Sequence, residues 1–482
     1  MKQTPFISIL LLLAICANAQ SPPVPPSGHP FFGINSFPWV PLSKVRPFGL
    51  VRQYQMTEWT WKKDGITVAP SHGANDEHYD SLFAEAKYKG VTMVPVLSWR
   101  PAWLKPKTAG DAWQHETMND PATDPANPLS YRQWAAYLYQ WSARYGRQQH
   151  PAERLRVSPE VRWTNDSKNT SASGLDLLHY IEPENEPNRW WRPPAAQYTP
   201  EQAAAMLSAA YDGHEGQMGP LCGIKIADST MRVVMPGLAD INVAYLDAML
   251  AWCQSNRRDR RFPADVLNVH HYCNAANRRD NPRIHLTRHG VQPEADSLRE
   301  RLRDLVRWRN KNLPNMPIWL SEFGYDTHPA SPQRAVPHGG RSAETVQGIW
   351  NARAYLEAMA AGVDAAFVFT AIDEPNEQSG GLFTSSGIMQ GEHPQSGNPF
   401  AAKAGYEILE QLATDLTGLR FSADLSPAPE VRLYAFDPMP GVPKPRILIA
   451  WLTSASGATR TVQVGGQMIL VTEVPQTFFR KF

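Results

Sequence analysis

The chain has 482 residues, 42% of them hydrophobic and 19% charged. That composition excludes a disordered protein, and the length exceeds one compact core, so two domains are expected. The 47 basic and 46 acidic residues nearly cancel, which gives no support for nucleic acid or an acidic polymer as a partner and makes a neutral one the easier fit.

Residues 1–19 read as a targeting segment. Lys2 is the only charge, the apolar run 6–17 is interrupted only by Ser8, and Ala17-Asn18-Ala19 fits a small-residue cleavage site before Gln20. The run is too short to span a bilayer, and Ile15 stands where lipidation at Cys16 calls for a small residue. The mature protein is therefore expected to be exported, periplasmic or secreted, without membrane insertion. It keeps Cys222, Cys253 and Cys273, so at least one thiol is unpaired within a single chain. No Cys/His grouping has zinc-ligand spacing, and neither metal nor organic cofactor is expected.

Residues 20–30 are a Pro-rich, extended lead-in. Strand-like runs follow at 32–37, 50–55, 92–98, 177–182, 232–238, 265–272, 317–322 and 365–372. Helical periodicity occupies 77–89, 130–145, 200–213, 243–255, 297–312 and 342–361. Eight alternating units predict an α/β fold, a (β/α)8 TIM barrel over 31–415. An insertion at 102–128 follows a strand's C-terminal end, where barrel loops shape a site; another at 157–173 enters from the opposite face. Strands at 430–436, 446–453, 459–464 and 468–472, with no helix between them, predict a small β-sandwich over 416–482 packed on the barrel.

Two runs carry chemistry. His179-Tyr-Ile-Glu-Pro-Glu-Asn-Glu-Pro187 and Pro317-Ile-Trp-Leu-Ser-Glu-Phe-Gly324 each end an apolar stretch in glutamate, as a barrel strand does when it presents a catalytic carboxylate at its open face. Two such carboxylates are the minimum equipment for cleaving a glycosidic bond. Glu182, Glu184 and Glu186 share a face if the chain stays extended, and periodicity alone does not choose among them.

Asn185-Glu186-Pro187 at the end of a fourth strand, with Glu322 at the end of a seventh, resembles clan A of the glycoside hydrolases, retaining (β/α)8 β-glycosidases, and within it the β-xylosidase-like, family 39-like enzymes. The resemblance covers the whole barrel in order. It implies Glu186 as acid/base, Glu322 as nucleophile, and Asn185 as a partner of the sugar 2-hydroxyl. His270 and Tyr272 resemble the clan's His-x-Tyr signature, whose Tyr hydrogen-bonds the nucleophile; packing at a strand end is the alternative for this stretch, more so for His271 than for Tyr272. Arg52 resembles the arginine that keeps the nucleophile ionised.

Six aromatics fall at or just past strand ends: Trp59, Trp61, Trp99, Trp103, Trp190 and Trp191. Flat rings there suit the apolar faces of sugars, and Trp99, Trp190 and Trp191 are the favoured platforms. Asp373 and Glu374 end the eighth strand and either bind sugar hydroxyls or cap the strand. The stretch from Gly381 to Lys403 resembles the closing loop of related hydrolases, and the Arg-rich run 257–261 reads as a solvated face. The sequence thus points to an exported retaining hydrolase of β-linked oligo- or polysaccharides with a carbohydrate partner. A carbohydrate-binding barrel without catalysis and a transglycosylase are the alternatives.

Overall fold

Long β-branched and aliphatic runs that are buried on both faces make parallel strands, and all eight expected runs do so. The computed structural model describes residues 31–479 apart from 63–66, 71–77, 105–115, 162–163, 165–167, 191, 276–288, 375–382, 394–396 and 465–466. The expected targeting segment, the lead-in and Trp191 lie outside the described residues. The strands are β1 (Phe32–Ser36), β2 (Leu50–Met56), β3 (Thr92–Ser98), β4 (Tyr180–Pro183), β5 (Arg232–Val233), β6 (Leu267–His270), β7 (Ile318–Phe323) and β8 (Ala365–Val368). They pair in the order β5-β4-β3-β2-β1-β8-β7-β6. Parallel bridges Val234–Val266 and Leu238–Val269 join the two ends of that order and close the barrel.

β5 is shorter than the expected 232–238. Pro236 has no N–H to donate to the ladder, so regular pairing stops at Val233. The helices match the periodic stretches, as in Pro200–Asp212, where Thr199 and Gln202 form a capping box with Pro at the first turn. A further helix, Tyr406–Leu416, was not expected. No helix of the described residues is long and apolar enough to cross a membrane.

Inside the barrel, Leu50, Val94, Tyr180, Val234, Val266, Trp319, Ala365 and Phe367 form an apolar plug at the N-terminal end. Two residues further along several strands the inward positions turn polar, with Arg52, Glu182 and Asn268 all fully buried. The open C-terminal end of the strands lies beyond this layer.

The C-terminal part has two more strands than expected. β9 (Leu419–Asp424), β10 (Val431–Pro438), β11 (Ile447–Leu452) and β14 (Gln476–Phe479) form an antiparallel sheet in the order β14-β11-β10-β9; β12 (Arg460–Val464) and β13 (Gln467–Val471) form a hairpin. One sheet face, with Tyr434, Phe436, Ile447, Ile449 and Trp451, joins the main core. The other, with Leu433, Ala435, Leu448 and Ala450, packs on Val462 and Val471 of the hairpin.

A buried polar seam ties this sheet to the helix Ala343–Ala361. Arg353 donates to Glu294 (Nε, 3.0 Å) and to the Thr453 carbonyl (2.8 Å), and Trp451 donates to Glu294 (2.6 Å). Arg432 and Tyr434 both donate to Glu357 at 3.0 Å. Replacing Arg353 with Ala leaves Glu294 buried and without its cation, so stability should fall by about 3–5 kcal/mol in urea denaturation. Arg460→Ala, which breaks an exposed pair with Glu430, should cost less than about 1 kcal/mol. Equal losses would remove the seam's distinction.

The run 257–261 departs from the expected solvated face at one position. The Arg257 side chain is fully buried and pairs with Asp212 at 2.7 Å and Asp259 at 3.1 Å.

Candidate active site

Glu322 reaches the barrel lumen because β7 is irregular. Strict alternation from inward-facing Trp319 would send Ser321 inward and Glu322 out toward the helices. The pairing register shifts on both sides of β7, between Val269 and His270 and between Leu320 and Phe323, and such a bulge re-aims side chains. Ser321 and Glu322 therefore both face in, Ser321 Oγ lying 3.0 Å from His270 Nε2.

Four groups surround the Glu322 carboxylate. Arg52 Nη1 donates to Oε1 at 2.6 Å, Tyr272 donates to Oε2 at 2.8 Å, Tyr54 donates to Oε1, and His270 Nδ1 lies 3.4 Å from Oε2. Burial by itself pushes this carboxyl up. The charges of His270 and Arg52 and the hydrogen bonds from Tyr54 and Tyr272 outweigh that and hold it below its ordinary value.

Glu186 lies at the end of a stretch that is not extended. Glu184 (φ 92°) and Glu186 (φ 48°) adopt left-handed backbone, a conformation non-glycine residues rarely keep without surrounding support. The three glutamates consequently diverge, contrary to the shared face expected for an extended run. Glu182 points into the barrel onto Arg52, and Glu184 turns to Arg189 at 3.3 Å, away from the site. Glu186 meets His270 Nδ1 at 2.7 Å. Burial pushes the Glu186 carboxyl above its ordinary value and the charge of Glu322 adds to this, against the pull of His270 and Arg52. A carboxylate oxygen of each glutamate and a ring nitrogen of His270 all lie within 4.8 Å of one another.

His270 fits between the two because residue 237 is glycine: a Cβ there would come within 2.1 Å of His270 Nε2. Asn185 Oδ1 accepts from Arg52 Nη2 at 2.7 Å, which leaves its amide N–H groups without a protein partner among the described residues. All six expected catalytic residues, Arg52, Asn185, Glu186, His270, Tyr272 and Glu322, are thereby brought into one cluster.

The aromatic expectations divide. Trp99 stands at the end of β3 with φ 68°, half-buried and stacked on Tyr54 with centroids 5.4 Å apart. Trp190 stands four residues past Glu186 and is half-buried. Trp61 is core, stacked on Tyr137 at 4.8 Å, and Trp103 stands edge-on to it with its Nε1 donating to the Trp61 carbonyl. Trp59 is half-buried against the same core. Trp59 and Trp61 serve packing because the short turn Thr57–Thr60 folds back onto the helix layer, and Trp103, in the turn Ala102–Leu104 after β3, packs on Trp61. Asp373 is also drawn away from a sugar-binding role: it accepts from Lys403 Nζ (2.8 Å) and the Gly387 N–H (2.9 Å), pinning the loop after β8. Glu374 is exposed, and its backbone N–H is bonded to the Thr384 carbonyl.

Two site residues were not anticipated. Tyr54 is two positions from Arg52 on a strand and so shares its face, a signal the sequence offered. Phe369, half-buried just past β8 and edge-on to Tyr272 at 6.4 Å, had none beyond its position.

A second group of donors, His271, Cys273 and Asp296, also gathers within 4.8 Å, closer than their spacing in the chain suggested. Both His271 nitrogens face carboxylates, Asp240 at 2.7 Å and Asp296 at 2.5 Å, and Arg301 lies 3.4 Å from Asp296. This is an ion-paired imidazole with no ring nitrogen left for a metal.

No family model matches the sequence, and no curated protein matches it. Solved structures do. A family 39 glycoside hydrolase from the gut symbiont Bacteroides cellulosilyticus WH2 aligns with a TM-score of 0.58 at 14% identity, covering 94% of this chain and 82% of that one. SrfJ from Salmonella typhimurium aligns with a TM-score of 0.51 at 10% identity, covering 93% and 87%. At such identities the likeness establishes a shared fold, and it is the fold the resemblance implied.

Proposed function

We propose that the protein is an exported retaining glycoside hydrolase acting on β-linked oligo- or polysaccharides. The observation that carries this reading is a pair of neighbouring glutamates with opposite tuning, the buried Glu322 held toward its charged form and the half-buried Glu186 toward its neutral form. Enzymes of this kind use one carboxylate as nucleophile and one carboxylic acid as proton donor, and retention goes with a separation of about 5–5.5 Å. The approach of Glu186 and Glu322 oxygens within 4.8 Å fits that range better than the ~6.5–9.5 Å of inversion.

In the first step Glu322 attacks the anomeric carbon while Glu186 protonates the departing oxygen. In the second, Glu186 takes a proton from water, whose oxygen displaces Glu322. Tyr54, Tyr272 and Arg52 hold the nucleophile's charge, and the Asn185 amide, without a partner among the described residues, can donate to a sugar hydroxyl. The neighbour from Bacteroides cellulosilyticus, named as a glycoside hydrolase, supports the substrate class, and the Lys2-to-Ala19 segment supports export.

Two measurements test the reading together. Proton NMR of a β-glycoside reaction should show the β anomer first. Mass spectrometry after incubation with activated 2-deoxy-2-fluoro glycosides should place a sugar adduct on the peptide containing Glu322. First appearance of the α anomer would overturn retention. The pH profile of kcat/KM should be a bell: activity rises as Glu322 ionises below the ordinary glutamate value of 4.5 and falls as Glu186 ionises above it.

A further inference from the structure

Arg52 serves two carboxylates, and it does not serve them equally. Its Nε donates to Glu182 Oε2 at 2.8 Å and its Nη2 to Glu182 Oε1 at 2.9 Å, a bidentate contact. To Glu322 it offers Nη1 alone, at 2.6 Å. Glu182 is fully buried and otherwise fixed, its Oε1 also accepting from the Gly237 N–H at 3.0 Å and Asn268 Nδ2 at 3.1 Å. Those two donors come from the β5 and β6 segments, so Glu182 cannot follow Arg52 if the guanidinium turns.

The bidentate face of an arginine is its stronger one. Given in full to Glu322, it would neutralise the carboxylate that must attack, and a heavily stabilised carboxylate is a poorer nucleophile. Held by Glu182 from behind, Arg52 keeps the nucleophile ionised through one point of contact. The same anchoring aims Nη2 at Asn185 Oδ1. We propose that Glu182 is a positioning residue that divides the charge of Arg52, limiting its hold on Glu322 and orienting Asn185 through it. The proposal rests on the glycosidase reading for its kinetic consequence.

Glu182→Gln keeps the shape and removes the charge. Arg52 then acts on Glu322 alone and the repulsion from Glu182 is gone, so both effects should move the acid limb of kcat/KM to lower pH. On an activated aryl glycoside kcat should fall roughly 10- to 100-fold, the scale of a redistributed charge-assisted hydrogen bond, with KM changed far less. Glu182→Asp should recover part of the loss. If Glu182 merely supported the fold, the acid limb would stay where it is; if its loss let Arg52 drift from Glu322, the limb would move up. Either outcome overturns the proposal.

A readout without turnover separates this from the functional reading. In protein labelled with carbon-13 at glutamate side-chain carboxyls, with the Glu322 signal assigned from Glu322→Gln, the Glu322 titration should move to lower pH in Glu182→Gln. A wild type that cleaves no glycoside but shows this shift would sink the glycosidase reading and leave the charge division standing. Should Glu182→Gln not fold, Glu182→Asp, whose shorter reach weakens the bidentate contact, should shift the titration the same way by less; no shift, or a rise, overturns the proposal.

Discussion

Glu322→Ala should lower turnover roughly 10⁴- to 10⁶-fold, the scale on which loss of a covalent nucleophile acts. Among the described residues, no neighbour on that side of the site is placed to take over. Tyr54 and Tyr272 are donors whose own ionisation burial opposes most strongly, with the charge of Glu322 adding to it, and Glu182 is engaged on Arg52. The alanine leaves a space below the anomeric carbon, lined by Arg52, Tyr54 and Tyr272, that suits a small anion. Added azide should therefore restore product formation, and the glycosyl azide should have inverted configuration. Rescue with retained configuration would mean that Glu322 is not the attacking group.

Glu186→Ala should divide substrates by leaving group. Glycosides that leave as alkoxides need the proton, and their kcat should fall roughly 10²- to 10⁴-fold. Aryl glycosides with acidic phenols need little protonation, so their first step should be affected far less, with the second step, which lacks its base, becoming limiting. Azide should speed that second step and give retained product. Equal losses on both substrate types would contradict the assignment. Glu184→Gln should leave the split untouched, because Glu184 faces Arg189.

The barrel was legible because its signal is repeated. Eight apolar runs, six of them followed by a periodic helix, leave little choice of architecture, and the errors lie where local chemistry interrupts a repeat. Pro236 shortens β5, and the helix Tyr406–Leu416 follows a stretch whose turns mask its start. β9 and β14 were missed because both are short edge strands with few buried residues, β9 alternating buried or half-buried with exposed positions and β14 half-buried at Gln476, Thr477 and Phe478. At the site, the residues identified by resemblance come together, yet the reasons they do so were not readable. Two left-handed glutamates and a slipped register decide where Glu186 and Glu322 point, and both depend on tertiary pairing that no local pattern reports. The tryptophans show the converse difficulty. Position at a strand end says that Trp61 and Trp103 are near the open face, but the turns after β2 and β3 decide whether a ring faces the lumen or the helices.

The irregularity in β7 bears on how much chemistry one strand can supply. A regular strand is bound by parity, every second side chain belonging to the lumen and the rest to the helix layer. By breaking parity once, β7 delivers two neighbouring polar residues to the same cavity while Leu320 and Phe323 still bury in the surrounding core. One of the two steadies His270 and the other is placed against Arg52. A single added residue thus doubles the density of working groups at that point of the wall, and it ties the aim of Glu322 to chain count: removing one residue between Trp319 and Glu322 would restore parity to the strand and rotate its last positions by half a turn.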